Sequence, residues 1–304
     1  MQHKQYYQPS RRPNLVTPPP KQRRRFSTKT FLRVVAFIGI VYIALGPLHA
    51  LAWFHTPTWA EKTQPLITTL DDTIAKLPYQ AGIAITNVKT GETITAGSKN
   101  AFVAASTTKL ITAATYYHLV ETGHASLDQQ LGAWPASFQL KSLVTISNND
   151  AWEELKTIAT DQAATQFLSS HHLSYDPASN TITPSQMSQF LSALYNGQLL
   201  SKNNTKTLLS YMRDTNMEQM LPAITPSSLT LYHKYGLFSG ALHDVGIVSD
   251  GTNSYAISIY TQNGSDADAL GRIVTIRQLA STVLKVLFPG ITPLIPKAPT
   301  QLEY

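Results

Sequence analysis

A serine and a lysine stand three residues apart where an apolar run of the sequence passes into a helical pattern. Ser106 precedes Lys109 at this spacing in the stretch VAASTTKLITAATYYHL. Three residues are about one helical turn, so the two side chains share a face. A lysine near the start of a helix opposes the positive end of the helix dipole, where a carboxylate would be more stable. Helix stability therefore does not explain Lys109.

Two further motifs follow in a specific order. SNN occupies residues 147–149 after a helical stretch, and HKYG occupies residues 233–236 on a predicted strand. With S-x-x-K at Ser106 to Lys109, they resemble the S-x-x-K, S-D-N and K-T-G motifs of class A β-lactamases and serine penicillin-binding proteins. The order and context of the motifs are more specific than any one of them. The resemblance covers residues 61 to 288.

The resemblance implies roles for eight residues. Catalysis would rest on Ser106, which forms an acyl-enzyme, on Lys109, its base, and on Ser147, a proton relay. Burial beside a second cation would lower the pKa of the lysine. The backbone N–H groups of Ser106 and Leu237 would form the oxyanion hole. Substrate binding would involve five residues: Asn149, Lys234, Tyr235, Gly236 and Leu237.

Each assignment has an alternative. Ser106 could be only the N-cap of a helix, and Ser147 and Asn149 could be ordinary turn residues. Four histidines have no place in the mechanism, so we expect them to be structural or exposed: His171, His172, His233 and His243. No cluster of carboxylates accompanies them. Neither a metal site nor a cofactor is expected.

The sequence also departs from the family pattern. Class A enzymes carry E-x-x-L-N, whose glutamate activates the water that releases the acyl group, and this motif is not found. Asp176, in SYDPASN, is the acid in the corresponding interval. Asn148 replaces the aspartate of S-D-N. Tyr235 replaces a small hydroxyl residue, and it could donate a phenolic hydrogen bond or narrow the site. The sequence therefore predicts residues for acylation, but it has no clear counterpart of the glutamate that drives deacylation.

The elements that must position these residues belong to a mixed α/β (α+β) domain. Apolar residues at helical spacing predict a first helix over residues 61–77. Alternating residues predict a two-stranded hairpin over residues 82–97. The helix that Ser106 opens should end near Gly123, and a helical lobe should then extend to about residue 228.

Strands return after this lobe. Residues 229–262 predict an antiparallel meander of three strands, and a last helix is expected from Asp266 to Phe288 with Ser265 as its N-cap. This order predicts an antiparallel sheet flanked by N- and C-terminal helices, with an inserted helical lobe and a site between the lobes. Residues 289–304 are predicted to be a loose tail.

The N-terminal region differs in composition from the rest. Residues 1–33 contain nine Lys or Arg and no acid, so the remaining 15 bases face all 18 acids. This segment is predicted to be a disordered cytoplasmic tail. The uncharged run 34–54 is long enough for a transmembrane anchor, with the domain outside the cell. A cleaved signal peptide ending near residues 50–52 is the alternative.

These observations predict a membrane-anchored, extracytoplasmic serine hydrolase that is acylated through Ser106 by β-lactams or related acyl-amides. The absence of cysteine excludes thiol catalysis and disulfides. The folded part is slightly acidic, so no nucleic-acid partner is expected, and the domain is expected to be a monomer. Three alternatives remain: a D,D-peptidase-like enzyme acting on peptidoglycan stems, a hydrolase of another small ester or amide, and a non-catalytic wall-binding module.

Overall fold

The computed structural model describes Lys29, Leu32, Arg33 and residues 57–265 and 268–303. The chain divides into two units, Met1–Thr56 and Pro57–Tyr304. The predicted anchor at residues 34–54 lies outside the described residues. Within the described part of the chain, no helix has the length and apolar character needed to cross a bilayer.

A five-stranded antiparallel sheet forms the centre of the second unit. Its strands, numbered in chain order, are β1 (Gln80–Asn87), β2 (Thr93–Gly97), β7 (Thr230–Phe238), β8 (Ala241–Ser249) and β9 (Ser254–Gln262). Their spatial order is β2-β1-β9-β8-β7. Two short ladders lie outside this sheet: β3 (Phe102–Val103) pairs with β6 (Thr181–Ile182), and β4 (Gln130–Leu131) pairs with β5 (Trp134–Pro135). The predicted hairpin and meander are confirmed.

The helices fall into two groups. Two of them come from the ends of this unit: α1 (Trp59–Ile74) and α9 (Ala269–Leu287). The others belong to the inserted lobe and its connections: α2 (Lys109–Glu121), α3 (Ala136–Thr145), α4 (Asn149–Lys156), α5 (Asp161–Ser170), α6 (Pro184–Tyr195), α7 (Lys202–Tyr211) and α8 (Leu221–Ile224). A 3-10 helix, Ala105–Thr108, precedes α2.

The sheet separates two apolar cores because successive side chains of a strand point to opposite faces. Ile257 and Ile259 of β9 lie in the core that α1 and α9 cover. Ala256 and Tyr260 of the same strand lie in the other core, which joins the sheet to the helical lobe. The predicted antiparallel α/β architecture is therefore confirmed for this unit.

The ends of two helices differ from the prediction. α1 begins at Trp59 because Thr58 and Glu61 form a capping box. The prediction that Ser265 caps the last helix is wrong. α9 begins at Ala269 after Asp268, and both the backbone N–H and the hydroxyl of Ser265 donate hydrogen bonds to the Asp268 carboxylate. The serine is used by the turn before the helix and not by the helix itself.

The C-terminal residues have no helix or strand, but they are bonded to the domain. The Leu294 N–H donates to the carbonyl of Ile224 at 2.9 Å. The Gln219 amide donates to the carbonyl of Gln301 at 2.9 Å, and its oxygen accepts from the Glu303 N–H at 3.0 Å. These contacts hold the segment that the sequence predicts to be loose against α8 and the residues before it.

Candidate active site

Ser106 lies in the 3-10 helix that leads into α2. Neither this helix nor α2 has a side-chain cap, so Ser106 is not an N-cap. The residue before it, Ala105, has a φ of 50°, which is unfavourable for a side chain with a Cβ. Thr107 anchors the segment: its hydroxyl lies 2.7 Å from the carbonyl of Ala104 and 2.9 Å from the hydroxyl of Tyr260. Ser106 thus stands on a firmly held and strained turn.

Lys109 begins α2 and is completely buried. Its Nζ donates to the backbone carbonyl of Ser147 and to Oδ1 of Asn149, each at 2.6 Å. Burial lowers the pKa of Lys109 to about 8, because a charged amine loses solvation in the interior. The neutral amine, which can accept a proton, is therefore a minor form near pH 7 and becomes the main form above about pH 8.

Ser147 stands between two lysines. Its Oγ is 3.4 Å from Nζ of Lys109 and 2.9 Å from Nζ of Lys234. A hydroxyl oxygen has two lone pairs for such donors and keeps its own proton to donate. The backbone φ of Ser147 is 54°. The arrangement can pass a proton from an amine through the hydroxyl to a third group.

Lys234 is also completely buried, in the middle of β7. Burial is the main cause that holds the pKa of Lys234 well below its usual range, and the neighbouring charge of Lys109 lowers it further. The Asp244 carboxylate opposes this shift. The Lys234 Nζ also donates to the carbonyl of Tyr235 at 2.9 Å. The two amines thus share a small, poorly solvated space.

Gly236 allows β7 to approach the nucleophile segment. A Cβ at this position would lie 3.0 Å from Cγ2 of Thr107, 3.1 Å from the carbonyl oxygen of Ala104 and 3.3 Å from Cβ of Ala105. The glycine is buried and contributes through its missing side chain. Leu237, the next residue, is half-buried and lines the cleft beside Ser106.

The structure does not support Tyr235 as a substrate contact. Its side chain is only 5% exposed and belongs to the apolar core on the α1 and α9 side of the sheet. Its ring centroid lies 3.9 Å from Nζ of Lys234, a distance at which an ammonium group is attracted to an aromatic face. Tyr235 therefore contacts the lysine that the family resemblance places in the site.

An open cleft of about 540 Å³ contains the exposed part of the site. Three of the predicted residues line it: Ser106, Asn149 and Leu237. Its wall also contains residues that were not predicted, chiefly Trp152, Glu153, Ser179, Asn180 and Phe238. The Trp152 indole is fixed by a 2.9 Å hydrogen bond to Oγ1 of Thr112. Thus an aromatic wall faces a site that holds two amines and two serines.

Asn180 was missed by the sequence reasoning although it contacts the nucleophile segment directly. Its carbonyl accepts from the Ala104 N–H at 2.8 Å, and its Oδ1 accepts from the hydroxyls of Thr108 and Tyr175 at 2.9 Å each. Its φ is 48°. A signal was present: DPASN, residues 176–180, has an asparagine at the spacing of E-x-x-L-N, with aspartate and serine at the positions of glutamate and leucine.

Asp176 is poorly placed to act as a base. The carboxylate is exposed and accepts from the Ser179 hydroxyl at 2.6 Å and from the Ala178 N–H at 3.0 Å. The Ser179 hydroxyl is the main cause that lowers the pKa of Asp176. Glu153, on α4, is the carboxylate in the described wall of the cleft.

Two histidines have structural roles, as expected. Burial alone would lower the pKa of His233, but the charges of Asp244 and Glu218 raise it to about 9. Its Nδ1 lies 3.0 Å from Oδ1 of Asp244, whose other oxygen accepts from the Leu221 N–H. Burial lowers the pKa of His243 to about 4, and its Nε2 lies 2.7 Å from the carbonyl of Val103. No group of metal-binding side chains occurs among the residues that the structure describes.

Comparisons with known proteins agree with this fold. Residues 65–137 and 134–287 match the model of the Beta-lactamase enzyme family. No match was found among curated protein sequences. A mutant class A β-lactamase of the last common ancestor of Gram-negative bacteria has a similar fold, with a TM-score of 0.67 and 20% identity. The match covers 74% of this chain and 100% of that one.

Two other solved structures are similar at the same level of identity. A β-lactamase from Xanthomonas campestris pv. campestris has a TM-score of 0.68 and 20% identity, over 74% of this chain and 98% of that chain. PBP-A has a TM-score of 0.65 and 20% identity, over 73% of this chain and 95% of that chain. The family match spans most of the sequence. The chain therefore belongs to the Beta-lactamase enzyme family and is a serine hydrolase.

Proposed function

We propose that this hydrolase forms an acyl-enzyme through Ser106 with β-lactams or related acyl-amides that carry a nearby carboxylate. One observation carries the proposal. The Ser147 hydroxyl lies within hydrogen-bond distance of both buried amines, those of Lys109 and Lys234. Lys109 also bonds Asn149, which lines the same cleft as Ser106. A nucleophile, a base and a proton relay are thus close together at one cleft, as acyl transfer requires.

The reaction begins with proton transfer from Ser106 to the neutral amine of Lys109. The serine oxygen attacks the carbonyl carbon of the substrate, and the negative charge moves to the carbonyl oxygen. The N–H groups of Ser106 and Leu237 stabilise this oxyanion. No hydrogen bond joins Ser106 Oγ to Lys109 Nζ among the described residues, and catalytic hydrogen bonds of this kind often tighten only in the complex with substrate.

The second half of the step breaks the C–N bond. Ser147 donates its proton to the leaving nitrogen and receives one from the ammonium group of Lys109. The electron pair of the oxyanion returns to form the ester carbonyl, and the amine leaves. Lys234 attracts the carboxylate of the substrate, and the side-chain amide of Asn149 binds its amide. A mutant of PBP-A has been solved as an acyl-enzyme complex with penicillin G, so penicillin is a suitable probe.

The test is the covalent labelling of Ser106. The full chain is incubated with penicillin G, and intact-protein mass spectrometry with peptide mapping locates the adduct. Ser106→Ala should abolish labelling and leave the domain folded, since the serine caps no helix. Ser228→Ala, an exposed serine away from the cleft, is the matched control and should be labelled normally. An undiminished adduct in Ser106→Ala would refute the assignment.

A peptidase-like enzyme acting on peptidoglycan stems is the second candidate. It is favoured by the DPASN segment, in which no glutamate corresponds to the base that releases the acyl group in class A enzymes. Such an enzyme would be acylated by penicillin and would release a D-alanine from a synthetic stem peptide ending in D-alanyl-D-alanine. Labelling without this release would favour β-lactams or other acyl-amides. A chain that is not labelled at all would be a binding module.

We also propose that the chain is held at the cell membrane with its catalytic domain outside. The uncharged run 34–54 is preceded by nine bases and is followed closely by only one, Lys62. Positive charge favours the cytoplasmic side of a membrane helix. The same bias would hold if the segment were a cleaved signal peptide, in which case the mature domain would be released.

A further inference from the structure

A second cleft, larger than the catalytic one, lies at the other end of β7. Its volume is about 610 Å³, and it is formed by the end of α6, the loop to α7, one face of α7 and residue Tyr232 of the strand. None of its lining residues belongs to the machinery proposed for acyl transfer. The chemistry proposed at Ser106 therefore does not account for this cleft.

The rim of this cleft carries three cations and no carboxylate. Lys202 and Lys206 are four residues apart, on one face of α7, and Arg213 follows the end of that helix. Among the described residues, none of the three forms an ion pair with an acid. Apart from its tail, the chain has fewer bases than acids. The cleft is thus cationic although the chain outside the tail is slightly acidic, and the described residues offer these three side chains no ion pair.

Glu121, an acid next to the start of α7, is bonded to that helix. Oε1 of Glu121 accepts from the Ser201 N–H at 2.9 Å and from the Asn204 amide at 2.6 Å. This carboxylate fixes the start of α7 and does not line the cleft. The loop before it is fixed as well, because the Asn196 amide donates to the carbonyl of Val88 at 2.8 Å. The cations therefore stand on a rigid support.

The floor of the cleft is aromatic. The rings of Tyr195 and Tyr232 have centroids 6.0 Å apart and are inclined by 53°, so they form a shallow V. The guanidinium of Arg213 lies 5.9 Å from the ring centroid of Tyr232, and Leu209 completes the apolar part. An aromatic floor with a polar rim suits a ligand that has an apolar face and charged edges.

We infer that this cleft binds an anionic carbohydrate. The C–H faces of a sugar ring would lie on Tyr195 and Tyr232, and phosphate or carboxylate groups on the sugar would meet Lys202, Lys206 and Arg213. An inorganic anion alone would leave the aromatic floor unused, and a neutral sugar would leave the cations unused. The inference is independent of the chemistry proposed at Ser106.

Isothermal titration calorimetry on the full chain tests this inference with four probes. Glucose 6-phosphate and tetragalacturonate carry the two kinds of anionic group, maltotetraose is the neutral saccharide, and inorganic phosphate is the anion without a sugar. We expect both anionic saccharides to bind more tightly than maltotetraose and phosphate. The tighter of the two shows whether the cleft prefers a phosphate or a carboxylate group on the sugar. Added salt should weaken this binding, since the cations are exposed.

Matched variants distinguish the cleft from general charge attraction. Lys202→Gln/Lys206→Gln should weaken binding of the anionic saccharides about 3- to 30-fold, as expected for two exposed charge contacts. Lys62→Gln/Lys76→Gln, which removes two exposed charges at and just after α1, on the other side of the sheet, should bind like the native chain. Equal binding of all four probes, or equal loss in both double variants, would overturn the inference. Labelling of Ser106 by penicillin reports separately on the proposed function.

Discussion

Two lysine amines meet at one serine hydroxyl, and their burial controls how many of them carry a proton. Lys109 and Lys234 are both completely buried, and each lies within 3.5 Å of Oγ of Ser147. Burial disfavours the charged form of each amine and so lowers its pKa, and the charge of Lys109 lowers the pKa of Lys234 further. The neutral amine that acyl transfer needs is therefore a consequence of packing.

The pH dependence of acylation should report the protonation of Lys109. Its pKa is lowered to about 8, and the neutral amine, which accepts the serine proton in the proposed mechanism, is formed as the pH rises through this value. We expect the acylation rate with penicillin to rise between pH 6 and pH 8 and to level off above about pH 9. Lys109→Ala should be slower by on the order of 10² to 10⁴ and should lose this rise. Stopped-flow labelling of both proteins measures the effect, and a flat profile in the native chain would contradict it.

The release of the acyl group should be slow. Asp176 is exposed, its pKa is lowered, and its oxygens are bonded within their own turn, so it is a weak base. Loss of one general base costs about 10² to 10⁴ in rate. We expect a chromogenic β-lactam to give a burst of one equivalent followed by slow turnover, with a persistent adduct in parallel mass spectrometry.

Two variants make this prediction specific. Asp176→Asn and Glu153→Gln should leave the lifetime of the adduct unchanged if no carboxylate activates the water. Rapid turnover without an accumulating adduct would show that a base exists. If this rapid turnover were lost in Glu153→Gln, the base would be Glu153, the carboxylate of α4 that lines the cleft.

At the scale of secondary structure elements, the cleft is formed where three strained turns meet. Ala105, Ser147 and Asn180 all have φ between 48° and 54°, a region that residues with a side chain rarely occupy. They belong to the 3-10 helix, to the turn before α4 and to the loop before β6. Such strain persists only where the surrounding elements impose it. Here β7 packs against the 3-10 helix, and Asn180 is hydrogen-bonded to Ala104 and Thr108.

Gly236→Ala should disturb this arrangement through β7. The added methyl group would lie 3.0 to 3.3 Å from Thr107, Ala104 and Ala105, so the nucleophile segment must move. We expect about a tenfold loss in the acylation rate and a loss of about 1 to 3 kcal/mol in the free energy of unfolding, as for overpacked cores. Kinetic labelling and urea denaturation measure the two effects.

Gly271→Ala in α9 is the matched control for that substitution. No atom lies within 4 Å of its added Cβ, and alanine is favoured over glycine inside a helix by roughly 0.5 to 1 kcal/mol. This variant should be slightly more stable than the native protein and should acylate at the native rate. A Gly236→Ala protein that acylates at the native rate would show that β7 can shift without cost.

At the scale of the whole molecule, charge is divided unequally along the chain. Nine bases and no acid occupy residues 1–33, whereas 15 bases and 18 acids occupy the rest. This division is the one that the proposed membrane orientation requires. In the described domain, the catalytic cleft and the cationic cleft are separate, so the two proposed binding events can be measured independently.

Protease added to intact cells should test the proposed orientation. We expect the domain from residue 57 onward to be digested while an epitope placed at the N-terminus remains protected, because the proposed orientation puts the basic tail in the cytoplasm. Permeabilised cells are the control and should lose both parts. Protection of the entire chain in intact cells would contradict the orientation.

The motifs of the site and the types of most elements could be predicted because they depend on local spacing. Ser106 and Lys109 are one helical turn apart, whatever the rest of the chain does. The strands of the sheet alternate between two apolar cores, so their pattern is visible at period two. The helix bounds were less accurate because a short hydrogen-bonded turn, such as that of Ser265 and Asp268, competes for the same polar side chains.

Contacts between distant parts of the chain were decided only by the tertiary structure. Lys234 meets Ser147 across 87 residues, and Asn180 meets Thr108 across 72. Tyr235 has the motif position of a substrate contact, yet its ring lies in the core. The sequence by itself determined which residues could act as nucleophile, base and relay, since residue type and local spacing carry that information. Folding decided their distances and the burial that lowers the pKa of the amines, because both depend on packing between elements far apart in sequence.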